Sequence, residues 1–172
     1  MSMRYVIAVI SALGMASLRG FAADSASPTP SSNTVVAWGK SVDGLRVGVS
    51  CDTNGTTSGA LPKICFYVAN DGDKAIPGII QSGTECLVAM NGQYYAQESW
   101  GGKTSPMPPG RTYGPIPINT ERLRQIPDLR AFPAITDTAP RCTLLAGTNT
   151  VALYYKSEKK LVKSGELQFV AR

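Results

Sequence analysis

Four cysteines, two neighbouring carboxylates, one serine–lysine spacing and a group of aromatics on or near loops are the residues of this chain that could do chemistry. Cys51, Cys65, Cys86 and Cys142 include no Cys-x-x-Cys spacing, and the 172-residue sequence has no histidine, so the usual metal-ligand sets are not formed. Disulfides are the chemistry that remains. Cys51 and Cys65 bracket one loop between two antiparallel strands, which favours a Cys51–Cys65 bridge and leaves Cys86–Cys142; the register decides whether Cys65 or its neighbour Ile64 meets Cys51. Lack of histidine also removes the commonest general base and every histidine triad. Ser157 and Lys160 have the Ser-x-x-Lys spacing of some nucleophilic serines, but they fall in an expected exposed loop. Asp71 and Asp73 are close enough to suggest paired carboxylates for glycoside hydrolysis, yet as adjacent turn positions they read as solvated turn residues. With no acid, base and nucleophile assembled, the expectation is a non-catalytic protein without a cofactor. Trp100, in a Gly- and Pro-rich connection, with Tyr94 and Tyr95 just before it, forms the candidate ligand contact. Their chemistry would be ring stacking on a glycan, and the competing role for Trp100 is to close one end of the core.

Residues 1–23 carry a secretory signal pattern: a short basic segment ending at Arg4, an apolar run over 5–18, then small residues that place cleavage after Ala22 or Ala23. The run is shorter than the roughly 20 residues that span a bilayer, so no membrane insertion is expected after cleavage. The protein is expected to be secreted or periplasmic, where thiols oxidise. Residues 24–33, DSASPTPSSN, are a spacer with nothing to bury, and 34–172 has the length of one domain. Cleavage removes Arg4 and Arg19 and no acidic residue, lowering the formal net charge from +5 to +3. Basic residues are scattered apart from Lys156, Lys159, Lys160 and Lys163, which read as a solvated hairpin loop. Nucleic acid is therefore not an expected partner, and an unidentified protein or glycan is.

The elements that must position these residues are short strands. Residues 63–74, KICFYVANDGDK, predict a central strand: Ile64, Phe66 and Val68 on one face and Cys65, Tyr67 and Ala69 on the other, both apolar, ending at an Asn-Asp-Gly turn. Residues 34–39 and 45–51 predict two strands around a turn at 41–44, with Leu45, Val47, Val49 and Cys51 facing inward. Asp52, Asn54 and Gly55 lack the later acidic ligands of a calcium loop, and Asn54-Gly55-Thr56 is an exposed glycosylation-type sequon. Residues 75–81, broken by Pro77 and Gly78, suit an edge strand or bulge. Asn91-Gly92 predicts a tight hairpin between 85–90 and 93–97, and 100–110 an irregular connection. A strand at 111–118 leads to a short helix capped by Asn119 or Thr120 and stopped by Pro127, then to a loop over 130–141. Strands at 148–156 and 165–171 close the domain, with Val151, Leu153, Leu167 and Phe169 completing the core.

This succession predicts an all-β, antiparallel sandwich of about seven or eight strands with one short helix. The segments AWGKSVDGLRVGVS, CFYVANDGDKAIP, MPPGRTYGPIPI, LLAGTNTVALYYKS and SGELQFVA resemble immunoglobulin-like secreted modules of planctomycete-type bacteria, and more distantly the Bacillus intracellular proteinase inhibitor family, over about residues 37–171. The shared positions mark turns and core, so the resemblance implies an Ig-like fold and a non-catalytic binding or structural module, with no functional residue carried across. A proteinase inhibitor presenting an irregular loop, and a carbohydrate-binding module using Trp100, Tyr94 and Tyr95, are the two alternatives.

Overall fold

The structure, a computed structural model, describes residues 35–52, 59–80, 86–97, 104–130, 138–157 and 160–172. The signal pattern, the spacer, the Asn54 sequon and Trp100 lie outside the described residues. Within them the chain is all-β: β1 Ala37–Trp38, β2 Leu45–Asp52, β3 Lys63–Asn70, β4 Ile76–Ile80, β5 Cys86–Met90, β6 Gln93–Ala96, β7 Thr104–Met107, β8 Thr112–Pro117, β9 Arg124–Ile126, β10 Gly147–Ser157 and β11 Lys160–Ala171. They pair antiparallel in three sheets ordered β1-β2-β3-β8, β11-β10-β5-β6-β9 and β4-β7.

Hydrophobic alternation places the core where the sequence puts it. Leu45, Val47 and Val49 from β2, Ile64, Phe66 and Val68 from β3, and Val151, Leu153 and Phe169 from β10 and β11 are all buried in one cluster, with Leu167 half-buried against it. That cluster draws on both larger sheets, and the Phe66 and Tyr155 rings stack across it at 6.3 Å. β3 is central as its two apolar faces require, pairing with β2 on one side and β8 on the other. Its last residue, Asn70, is buried; the side-chain amide donates to the carbonyls of Lys74 and Met107, both at 2.8 Å, and Gly72 N–H donates to its Oδ1. An Asn ending a strand thus anchors the following turn and ties β3 to β7. Asn91 and Gly92 have φ of 52° and 79°, the left-handed pair that a two-residue hairpin needs.

Four expectations are corrected. The short helix is a single 3-10 turn at Thr120–Arg122, and Asn119 at its start makes no side-chain capping bond. Part of the connection expected to be irregular is strand β7, whose Met107 is fully buried against the core. The three-residue strand β9, which carries too few residues to show a period, pairs with β6. The Lys-rich loop is mostly strand, because β11 begins at Lys160. A β-bulge hides that start. Ala152 pairs with Glu166 and Tyr154 with Lys163, so Ser164 and Gly165 together oppose Leu153. The inward positions therefore switch from Val162 and Ser164 to Leu167, Phe169 and Ala171. Ser164 occupies the gap by accepting the Leu153 N–H at 2.8 Å and donating to the Gly165 carbonyl at 2.6 Å.

Strand β1 joins the two larger sheets along one side. Gly39 donates its N–H to the Val47 carbonyl of β2 at 2.9 Å, and a Cβ on Gly39 would stand 1.9 Å from the Lys163 carbonyl oxygen of β11. No side chain fits between those backbones.

Candidate functional site

Register separates the cysteines. Cys51 lies opposite Ile64, and Cys65 lies opposite Ser50, so Cys51 points to the core face of the β2–β3 pair while Cys65 points to the other. The expected Cys51–Cys65 bridge is not formed, because residues one out of register project from opposite faces of a sheet. Cys86 starts β5, and Cys142 follows Arg141, which bridges to β9. β5, β6, β9 and the Arg141 segment stand side by side, so Cys86 and Cys142 are three strand spacings apart. At about 4.8 Å per spacing that is roughly 14 Å, twice the Cα separation a disulfide spans. None of the four is joined in a disulfide. Burial, helped by the Asp52 carboxylate and by Cys65, pushes the Cys51 thiol up to about 12. Burial pushes Cys142 up to about 11 against the opposing effect of a hydrogen bond with the Tyr95 phenol, and raises Cys65 as well. Such thiols hold little thiolate at neutral pH and are poor nucleophiles.

The carboxylates and the serine–lysine pair take structural places. Asp71 meets Arg46 Nε at 2.9 Å; the N–H of this buried Nε is not aligned for a hydrogen bond, so the contact is an ion pair. Asp73 is exposed in the turn. Ser157 and Lys160 are cross-strand partners at the end of the β10–β11 hairpin where one strand leads into the other, and Lys160 pairs there with Asp43. Among the described residues no three His, Cys, Asp or Glu side chains are grouped to hold a metal ion.

Tyr94 and Tyr95 are separated by the strand period. Tyr95 turns inward, 8% exposed, so the two tyrosines do not share a platform. Tyr94 remains on the face away from the core and meets a residue that the sequence reading did not single out. Tyr154, from β10, stands edge-on to it, with ring centroids 6.1 Å apart and planes at 76°. Beneath them lie the buried Leu87, Ala96 and Ile126, with Leu129 packed alongside. The Lys163 ammonium sits 5.7 Å from the centre of the Tyr154 ring, and Gln125 donates to Gln93 at 2.7 Å on an exposed part of the same sheet. The signal for Tyr154 was available: with Val151, Leu153 and Tyr155 assigned inward, period two turns Tyr154 outward beside Lys163.

The opposite sheet also has an aromatic row. Across its four strands the outward positions read Trp38, Gly48, Tyr67 and Gly114. A Cβ on Gly48 would lie 2.9 Å from the Trp38 ring and one on Gly114 2.6 Å from the Tyr67 ring, so each ring occupies the space a side chain on the glycine would need, the two planes inclined at 58°. Arg46 stacks on Trp38 at 4.7 Å, and Tyr67, 3% exposed, lies 3.3 Å by its hydroxyl from Ser50.

No protein-family model, curated protein or solved structure matches the chain.

Proposed function

We infer that the chain is a secreted or periplasmic, non-catalytic module, its two larger sheets arranged as an Ig-like sandwich, that binds a protein partner through the outward face of the β11-β10-β5-β6-β9 sheet. The observation that carries this reading is the half-buried Tyr94–Tyr154 pair with Lys163 over the Tyr154 ring. Aromatic rings held by an apolar bed and bordered by Lys163 have the composition of a protein interface. Planes at 76° do not offer a flat sugar-stacking surface, which favours a protein over a glycan. The non-catalytic part rests on a sequence without histidine and on thiols that burial keeps protonated.

The test is affinity capture from the producing cell's exported proteins, comparing the native chain with Tyr154→Ala and with Val35→Ala, an exposed position just before β1 of the other sheet. A partner bound by the native chain and by Val35→Ala, but weakened at least about 30-fold by Tyr154→Ala, supports the reading, since interface tyrosines often contribute 2 kcal/mol or more. Binding to a glycan array that Tyr154→Ala abolishes would replace the protein partner with a sugar. A partner whose binding is unchanged by Tyr154→Ala overturns the site.

A further inference from the structure

At one end of the fold, the turn between β1 and β2 faces the end of the β10–β11 hairpin where one strand leads into the other, across a cleft of about 220 Å³. Leu45 and Val162 form its floor and belong to the main core, and Val42 and Ile76, partly buried against that core, form its walls. Ser157, Asp43 and Lys160 stand at the rim, the last two as an ion pair. The turn is rigidly built: Val42 and Leu45 exchange both backbone hydrogen bonds, at 2.8 and 3.0 Å, and Asp43 and Gly44 hold φ of 50° and 82°.

The geometry points to a binding site for a small branched aliphatic carboxylate. Size comes first: at about 30 Å³ of liquid volume per water, the cleft holds roughly seven non-hydrogen atoms. Shape and polarity come next, since four aliphatic side chains with a charged rim on one side fit an alkyl body carrying one polar head. The sign of the head follows from the donors at the rim. Lys160 and Ser157 place an ammonium and a hydroxyl side by side there, and Asp43, the more exposed member of its ion pair, is the freer of the two to turn to solvent. An anionic head matches these two donors. Both members of the Lys160–Asp43 pair are largely exposed, at 51% and 70%, and an exposed pair holds its partners weakly. Lys160 can turn from Asp43 to a ligand carboxylate at little cost, with the Ser157 hydroxyl as a second donor. A free acid and the C-terminal Leu, Ile or Val of a peptide present this same chemistry.

The experiment titrates the whole chain with 3-methylbutanoate, which has seven non-hydrogen atoms, and follows the methyl signals of Val42, Leu45, Ile76 and Val162 by NMR. Saturable shifts confined to those methyls are expected, with affinity on the order of 1 mM for a ligand this small. The neutral 3-methylbutanamide should bind at least about tenfold more weakly, and so should 3-methylbutanoate to Lys160→Met, which keeps the aliphatic stem and loses the charge. Asp43→Asn, which tolerates the same left-handed turn, should bind two- to fivefold more tightly by removing the competing carboxylate. A Gly-Gly-Leu tripeptide that binds more tightly than the free acid identifies a peptide C-terminus as the ligand source, and weaker binding identifies a free acid. Equal binding of acid and amide, an unchanged affinity in Lys160→Met, or shifts spread away from the cleft would overturn the proposal.

Discussion

Facing away from the core on the β1-β2-β3-β8 sheet, Trp38 and Tyr67 reach over Gly48 and Gly114, whereas on the β11-β10-β5-β6-β9 sheet Tyr154 and Tyr94 have Leu87 and Ala89 as cross-strand neighbours. The same residue types thus meet two fates. A ring beside a glycine can fold down, fill the missing side chain's space and bury itself; a ring beside Leu or Ala stands up and keeps an edge in solvent. Tyr67 and Cys65 at the centre of the first face are buried, with Trp38 half-buried on its border strand, while Tyr94 and Tyr154 are both half-buried on the second. The difference teaches that the first face is a second small core and the second is an available surface.

Substitutions can break that contrast, and the largest effect should come from the rings themselves. Tyr67→Ala should lower unfolding free energy by about 3–5 kcal/mol, and Tyr154→Ala by only about 1 kcal/mol, both read from urea unfolding midpoints; equal losses would abolish the distinction. Gly114→Ala is next. It combines a φ of 131°, outside the range of L-residues, with a methyl driven into the Tyr67 ring, and should cost about 2–4 kcal/mol without altering the environment of Tyr154. A third effect is pH. Thiols raised by burial keep their protons in the folded chain after the unfolded chain has lost them, so the native state binds more protons above about pH 9. Stability should be flat below the unfolded thiol range and fall as pH rises from about 9 to 11, by at most about 1.4 kcal/mol per pH unit for each affected thiol. Cys142→Ser should make the alkaline decline shallower. Arg46→Met removes the charge over Trp38 and the contact to Asp71 while keeping apolar cover, and should cost about 1 kcal/mol. The smallest effect is Asn119→Ala: since no capping bond exists, the change should stay within about 0.3 kcal/mol rather than the roughly 1 kcal/mol of a true cap.

The core and the hairpins could be read from the chain because they depend on local period and turn chemistry. Leu45, Val47 and Val49 alternate without interruption, and Asn91-Gly92 names its own turn. What depends on register was hidden. A shift of one residue places Ser50, rather than Cys51, opposite Cys65, and no feature of either strand announces that shift. The bulge at Ser164 broke the phase of β11, so 160–164 read as lysine-rich loop although Val162 is buried. Half of the candidate surface was legible as Tyr94. Tyr154 was implied by its neighbours' inward phase, but its meeting with Tyr94 requires the non-local placement of β10 beside β5 and β5 beside β6.

The borders of the two larger sheets bear on how the protein behaves at high concentration. Pro115 and Pro117 deprive the outer strand β8 of two N–H donors, Arg141 bridges to the far side of β9, and β1 is wedged through Gly39 against β11. A strand from another molecule therefore finds few consecutive backbone groups to pair with on these borders. Molecules crowded together can then remain dispersed instead of growing into ribbons by edge addition, without relying on a large net charge to keep them apart.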